Sequence, residues 1–251
     1  MAWITTWLPP ALSGTDVLWL MLTSLLTSAL TAATGVGGGT ALLAVMANIL
    51  PVTVIIPVHG LVQLGSNAGR LLMLWRHVHW SLTGWFVLGC LLGSALGGQL
   101  VISLPQSVLQ LMLGLFILLL CWLPLPLQGI GGRSGVWMGG VTAFVSMFVG
   151  ATGPFVLALL KNVLLERHAL VATMAALMSF QHLVKVGVFI ALGVALHDWL
   201  GLILLMVMLG GCGTLLGSLV LQRLSNHRFA LILKVMITLL ALRLLYAGFN
   251  H

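Results

Sequence analysis

The chain has 251 residues, 61% of them hydrophobic and only 5% charged, with a mean hydropathy of +1.20. A soluble domain carries about 25% charged residues and a chain of this size keeps much of its surface exposed, so this composition excludes a water-soluble globular domain and makes lipid the solvent. Ten Lys and Arg stand against three acids, Asp16, Glu166 and Asp198, for a formal charge of +7; the cations are scattered singly, which argues against a nucleic-acid partner and for positive loops on one side of a bilayer.

Residues 1–14 lack a basic start followed by a short apolar run and a cleavage site, so no cleaved signal peptide is expected. Eight apolar segments follow. The first, 15–48, contains the run Gly35-Val36-Gly37-Gly38-Gly39. A straight helix of about 34 residues would be about 50 Å long, too long for one crossing, so the glycines are expected to break it into two helical pieces. Segment two, 57–75, carries His59, Gln63, Ser66, Asn67 and Arg70 and leads to Arg76 and the pair His77 and His79. These last two have no carboxylate or cysteine beside them and read as solvated interface histidines. Segment three, 81–103, repeats Gly89, Gly93 and Gly97 at four-residue spacing, a close-packing stripe that would also suit the face of a homodimer. Segment four is 106–123. Segment five, 134–165, is again overlong and contains Gly150-Ala151-Thr152-Gly153-Pro154. Segment six, 169–196, carries Gln181, His182 and Lys185. Segment seven, 199–221, carries Gly213 and Gly217, and segment eight is 228–248. Alternation typical of barrel strands is lacking, so the expected fold is an all-α integral membrane protein. Trp80, Trp85, Trp199 and Tyr246 fall where interfacial anchors belong. Cys90, Cys121 and Cys212 lie in apolar runs without a CxxC pair, which suggests neither disulfides nor a redox relay.

The two halves align. A shift of 115 positions sets Gly35 on Gly150, Gly38 on Gly153, Asn67 on His182 and Arg70 on Lys185; a shift of 119 then sets Trp80 on Trp199 and Gly98 on Gly217. The expectation is one domain, 1–251, built from two four-segment repeats, 15–123 and 134–248. If segments one and five are re-entrant at their glycine clusters, Arg76, Arg133, Lys161, Arg167, Arg223, Arg228 and Lys234 share one face, leaving Asp16, Asp198 and Arg243 on the other. The positive-inside rule then gives inverted repeats with both termini outside.

Arg70 and Lys185 occupy equivalent intramembrane positions, and a cation in hydrocarbon costs at least about 2.5–3.5 kcal/mol unless it faces a partner or a wet cavity. With all three acids near segment ends, an anionic ligand is the expected partner. The helices restarting after the glycine breaks present free N–H groups and a positive dipole end. The candidate substrate-binding set is therefore Lys185, Arg70, Asn67, His182, Gln181, Thr40, Gly37, Gly38, Gly39, Thr152, Gly153 and Pro154, with Thr34 as a further hydroxyl donor. His59 and His182 are candidate proton-coupling residues. No metal site and no cofactor are expected, and P-loop, GxSxG and HExxH motifs are lacking.

The first glycine run with Pro51 after it, the second run Gly150-Ala151-Thr152-Gly153-Pro154-Phe155, and the stretch Glu166-Arg167-His168-Ala169-Leu170-Val171-Ala172-Thr173 resemble the TauE/SafE family of sulfite and sulfonate exporters over about residues 15–248. Ala44 and Val45 stand where that family often has a proline. The resemblance implies export of sulfite, organosulfonates or related organic anions across a bacterial inner membrane. The expected function is thus a secondary transporter of small anions working by alternating access. The rival readings are a cation or metal transporter, which calls for intramembrane acids, and a non-transporting accessory protein, which calls for a soluble docking loop.

Overall fold

Gly37 and Gly150 adopt φ values of 99° and 77°, a left-handed backbone that side-chain-bearing residues rarely enter. Each interrupts a long apolar segment. In the computed structural model, segment one is helix α1 (Gly14–Thr34) followed by short α2 (Gly38–Met46). Segment five is α6 (Gly135–Val149) followed by α7 (Gly153–Leu160). Between them lie α3 (Val52–Leu74), α4 (Trp80–Val101) and α5 (Gln106–Trp122); after them come α8 (Arg167–Ala191), α9 (Leu200–Val220) and α10 (Asn226–Phe249). The structure describes residues 8–34, 37–122, 132–160, 163–220 and 226–249, and among these it is helical without strands. Gly35, Val36, Lys161 and Arg223 lie outside the described residues, as do the side chains of Thr34, Cys121, Arg167 and Arg228.

Local chemistry sets the helix starts. The Ser13 hydroxyl accepts from the Asp16 N–H at 3.2 Å while the Asp16 carboxylate accepts from the Ser13 N–H at 3.0 Å, a reciprocal cap at the head of α1. Pro51 precedes α3, which begins five residues before the expected segment and carries Pro57 in its second turn, where the missing N–H leaves the Thr53 carbonyl without its helical donor. The Glu166 carboxylate caps α8, accepting from the N–H groups of His168 and Ala169 at 2.8 and 2.6 Å. These two bonds hold its pKa below the usual value.

Among the described residues, four helices, covering 14–32, 80–101, 168–191 and 197–217, are long and apolar enough to cross a membrane, with shorter apolar helices at 106–119, 135–149 and 237–249. Leu18, Trp19, Leu92, Leu204 and Leu239 expose their side chains outward, as a lipid solvent permits.

Packing relates the elements in reciprocal pairs. α4 packs on α6 and α1 on α9; α3 packs on α8 and α5 on α10. A Cβ at Gly89 or Gly93 would meet the carbonyl oxygens of Val136 and Gly140, and one at Gly213 or Gly217 those of Leu25 and Ala29. Both contacts advance together along the chain, so α4 runs parallel to α6 and α9 to α1. The glycine stripes that the sequence offers to a second copy are therefore filled within the chain. In contrast, Gly114 meets Leu245 while Trp122 Nε1 donates to Thr238 at 2.9 Å, so α5 and α10 are antiparallel. α3 and α8 are antiparallel too: Val52 and Ile56 share a groove with Phe189 and Val194, whereas Leu71 and Leu74 pack beside Ala172 and Ala176.

Three cations lie over tryptophans: Arg76 over Trp75 at 5.7 Å, Arg133 over Trp85 at 6.0 Å and Lys234 over Trp122 at 3.9 Å from ring centroids. Trp80 and Tyr246 are exposed as anchors should be, but Trp199 is 8% exposed and packs in the core beside Leu202 and Ile203. The turn Leu196–Trp199 folds its ring inward, and the expected interfacial role does not apply to it.

Candidate functional site

The two glycine breaks face one another across a cavity of ≈ 60 Å³. A single water needs about 10–15 Å³ on this kind of measure, so there is room for a ligand of several heavy atoms. One wall is the first break and its helix: Gly37, Gly39 and Thr40, with Thr31 of α1 above them. The opposing wall is the second break, Ala151, Thr152, Gly153 and Pro154. α3 closes one side with His59, Gln63, Asn67 and Arg70, and α8 the other with Met174, Met178 and His182. Spacing explains the α3 face: 59, 63, 67 and 70 recur every three or four residues and lie on one stripe of a helix.

Glycine is required where backbones crowd. A Cβ at Gly38 would meet the Thr27 carbonyl and the Thr31 hydroxyl of α1, and one at Gly39 would meet the Gln63 amide. Gly38 thus packs α2 against α1 and does not line the cavity, whereas Gly39 leaves its carbonyl free to be reached from α3.

The two equivalent cations behave differently. The Arg70 guanidinium lies in the cavity wall, where it donates to Asn67 Oδ1 at 2.8 Å; Asn67 is held in turn by donating to the Gln63 carbonyl at 2.8 Å. Lys185 is 0% exposed and lies behind the wall. Its ammonium donates to the Gly150 carbonyl at 2.8 Å and the Ser146 hydroxyl at 3.0 Å. Those oxygens belong to the C-terminal end of α6, the negative end of its dipole, so the cation caps the break in the second repeat. Gln181, also fully buried, supports the same wall by donating to Thr152 Oγ1 at 2.9 Å.

His59 ties the two breaks together. Its Nε2 lies 3.0 Å from the Gly39 carbonyl, while its Nδ1 lies 3.8 Å from where a Cβ at Gly150 would stand. The His182 ring meets it edge to face at 6.0 Å. Several polar atoms here are buried and unpaired. Of eight buried side-chain polar atoms without a partner among the described residues, four belong to cavity-lining Thr40, His59, Arg70 and His182, and a fifth to Gln181 behind them. Buried polar groups are normally hydrogen-bonded, so this concentration makes the cavity the candidate site. No carboxylate is near it: Asp198 and Glu166 are well exposed at helix ends and Asp16 caps α1. No group of three His, Cys, Asp or Glu suited to a metal occurs among the described residues.

Of the residues singled out from the sequence, the structure gathers Gly37, Gly39, Thr40, His59, Asn67, Arg70, Thr152, Gly153, Pro154 and His182 around one cavity, and sets Gly38, Gln181 and Lys185 behind its walls. Sequence reasoning missed Thr31, Ser146, Met174 and Met178. A signal existed for all four: the 115-residue offset maps Thr31 on Ser146, His59 on Met174 and Gln63 on Met178.

The family model described as Sulfite exporter TauE/SafE matches residues 20–244. No curated protein and no solved structure matches the chain.

Proposed function

From the chain's membership of the Sulfite exporter TauE/SafE family, a family of multi-pass membrane transporters of the anion-exporter type, we propose that it carries a small oxyanion, such as sulfite or an organosulfonate, through the cavity between its glycine breaks. The observation that carries this reading is the convergence of unpaired buried polar atoms on a cavity with a guanidinium in its wall and no carboxylate near it. Arg70 and the Thr40 hydroxyl supply donors, the N-termini of α2 and α7 add positive dipole ends, and Lys185 adds positive charge from behind the second break.

Alternating access follows from inverted repeats. The reciprocal pairing of α1 with α9 and α4 with α6, and the antiparallel course of α3 against α8 and α5 against α10, support that arrangement. Under it, Lys185 docked on α6 and Arg70 held by Asn67 in the cavity wall are two positions of one device. Passage to the opposite-facing state exchanges them: Arg70 withdraws towards the end of α1 and Lys185 enters the cavity. His59 and His182, both deep and in ring contact, are the proposed route for a coupling proton. The inner membrane of a bacterium, with both termini outside, is the proposed setting; the cations over Trp75, Trp85 and Trp122 support taking that end as the inner face.

Two imidazoles and two thioethers around the cavity also favour a soft metal cation; the guanidinium among them opposes it. A thermal-shift screen with sulfite, sulfate, sulfoacetate, taurine, carboxylates and soft metal ions separates the readings. Stabilisation by one or more oxyanions is expected. Stabilisation by metal alone overturns the anion reading.

A further inference from the structure

Resting on the oxyanion reading, we infer that Met174 and Met178 set the specificity of the cavity, admitting an oxyanion with one apolar or polarisable substituent and turning away an ion that is polar on every side. α3 and α8 run antiparallel. His59 meets the His182 ring at 6.0 Å at one level, and Leu71 and Leu74 pack with Ala172 and Ala176 at another. Between those levels residues 63–70 pass beside 174–178, so the two methionines stand across the cavity from Gln63, Asn67 and Arg70. Their thioether ends reach the second break. A Cβ at Gly153 would lie 3.5 Å from Met174 Cε and 3.9 Å from Met178 Sδ, and Gly153 is itself in the cavity wall.

The two walls differ in kind. On the first, Thr40, Gln63 and Arg70 present hydroxyl, amide and guanidinium groups, and Arg70 has N–H donors beyond the one it gives to Asn67. On the second, the Met174 methyl neither donates nor accepts, and a thioether sulfur accepts only weakly. Both are soft and polarisable. Apolar side chains continue behind them, in the buried cluster with Val156, Leu160 and Leu177. Polar groups on this side are largely engaged: Thr152 Oγ1 accepts from Gln181 at 2.9 Å, Pro154 has no N–H, and the N–H groups of Phe155 and Val156 donate to the Thr152 carbonyl. In a cavity of ≈ 60 Å³ a ligand of several heavy atoms touches both walls. An ion whose oxygens go to Arg70 therefore turns its remaining corner to the methionines. A methyl group or a sulfur atom there gains contact, whereas an amino group or a further oxygen is stripped of water without a partner. Sulfite, with only a lone pair at its fourth corner, meets the same condition.

The test uses ions matched in shape and charge: methanesulfonate against sulfamate, and thiosulfate against sulfate, titrated by calorimetry into the purified protein at neutral pH. The first member of each pair is expected to bind wild type about tenfold tighter. Replacing both methionines by glutamine (Met174→Gln with Met178→Gln) is expected to bring each ratio near one, while Met174→Leu with Met178→Leu keeps the preference for methanesulfonate. Equal binding within either pair by wild type overturns the inference and leaves the oxyanion site in place. A preference undiminished in the glutamine variant overturns the assignment to these side chains, and so does its loss in the leucine variant, because polarity would then not govern it. Binding of none of the four ions removes both the inference and the reading beneath it. The wild-type comparison stands by itself if a variant does not fold.

Discussion

At the scale of single residues, correspondence in sequence does not decide what a side chain touches. Arg70 and Lys185 correspond under the 115-residue offset, yet one guanidinium lines a cavity and one ammonium is spent on the Gly150 carbonyl and Ser146 hydroxyl. Their substitutions should therefore separate. Lys185→Met removes the ammonium that bridges the Ser146 hydroxyl and the Gly150 carbonyl, leaving only the 3.3 Å bond between those two, and should cost about 1–3 kcal/mol of stability, read as a lowered Tm. Arg70→Gln should leave Tm nearly unchanged and weaken oxyanion binding about tenfold or more. Equal losses of Tm in both would contradict this division. The positions of both cations were legible from sequence because an intramembrane charge is conspicuous. What each touches was not, since that depends on how far α6 runs before Gly150 turns the chain. Glu166 offers a second residue-scale test. Its bonds to the His168 and Ala169 N–H groups depress its pKa, so the stabilisation is complete above the ordinary carboxylate range of about 4.3 and fades as pH falls through the lower folded value. The Tm difference between wild type and Glu166→Ala should be present at neutral pH and vanish in acid.

At the scale of elements, small residues set how closely helices approach. Gly93 of α4 sits against the Gly140 backbone, whereas Gly84 on the same helix has open space where its Cβ would be. Gly93→Ala should push α4 off α6 and cost about 1–3 kcal/mol, the usual range for overpacking. Gly84→Ala should be neutral or stabilising by up to about 1 kcal/mol from helix propensity. Thermal unfolding of the two variants side by side checks this; a similar loss in both would mean that α4–α6 contact does not govern stability. The break of segments one and five into helix pairs was legible, because length and glycine content conflicted with one crossing. The start of α3 at Val52 was not, since Pro57 looks like a boundary although the helix runs through it. The burial of Trp199 was equally hidden, because tryptophan near a segment end serves a core as well as an interface.

At the scale of the whole molecule, helix directions place the ends of α3, α5 and the start of α6 together, with Arg76, Arg133 and Lys234 at that end, and the starts of α1 and α9 with Asp16 and Asp198 at the other. Impermeant thiol reagents applied to intact cells should label a cysteine at position 103 but not one at position 76, in a background lacking Cys90, Cys121 and Cys212; the reverse pattern would invert the proposed orientation. The paired helix breaks and the paired intramembrane cations were legible in the sequence. The polar-against-thioether asymmetry of the cavity becomes visible only once the fold brings these residues to one space, although the offset that aligns Asn67 with His182 also aligns His59 with Met174. The account as a whole turns on the cavity being the transport site. Counterflow of labelled sulfite into proteoliposomes tests that most directly: wild type should accumulate label against unlabelled internal sulfite, and Arg70→Gln, inserted at equal density, should lose at least about nine-tenths of that flux, the equivalent of about 1.4 kcal/mol. Undiminished flux through Arg70→Gln would contradict it.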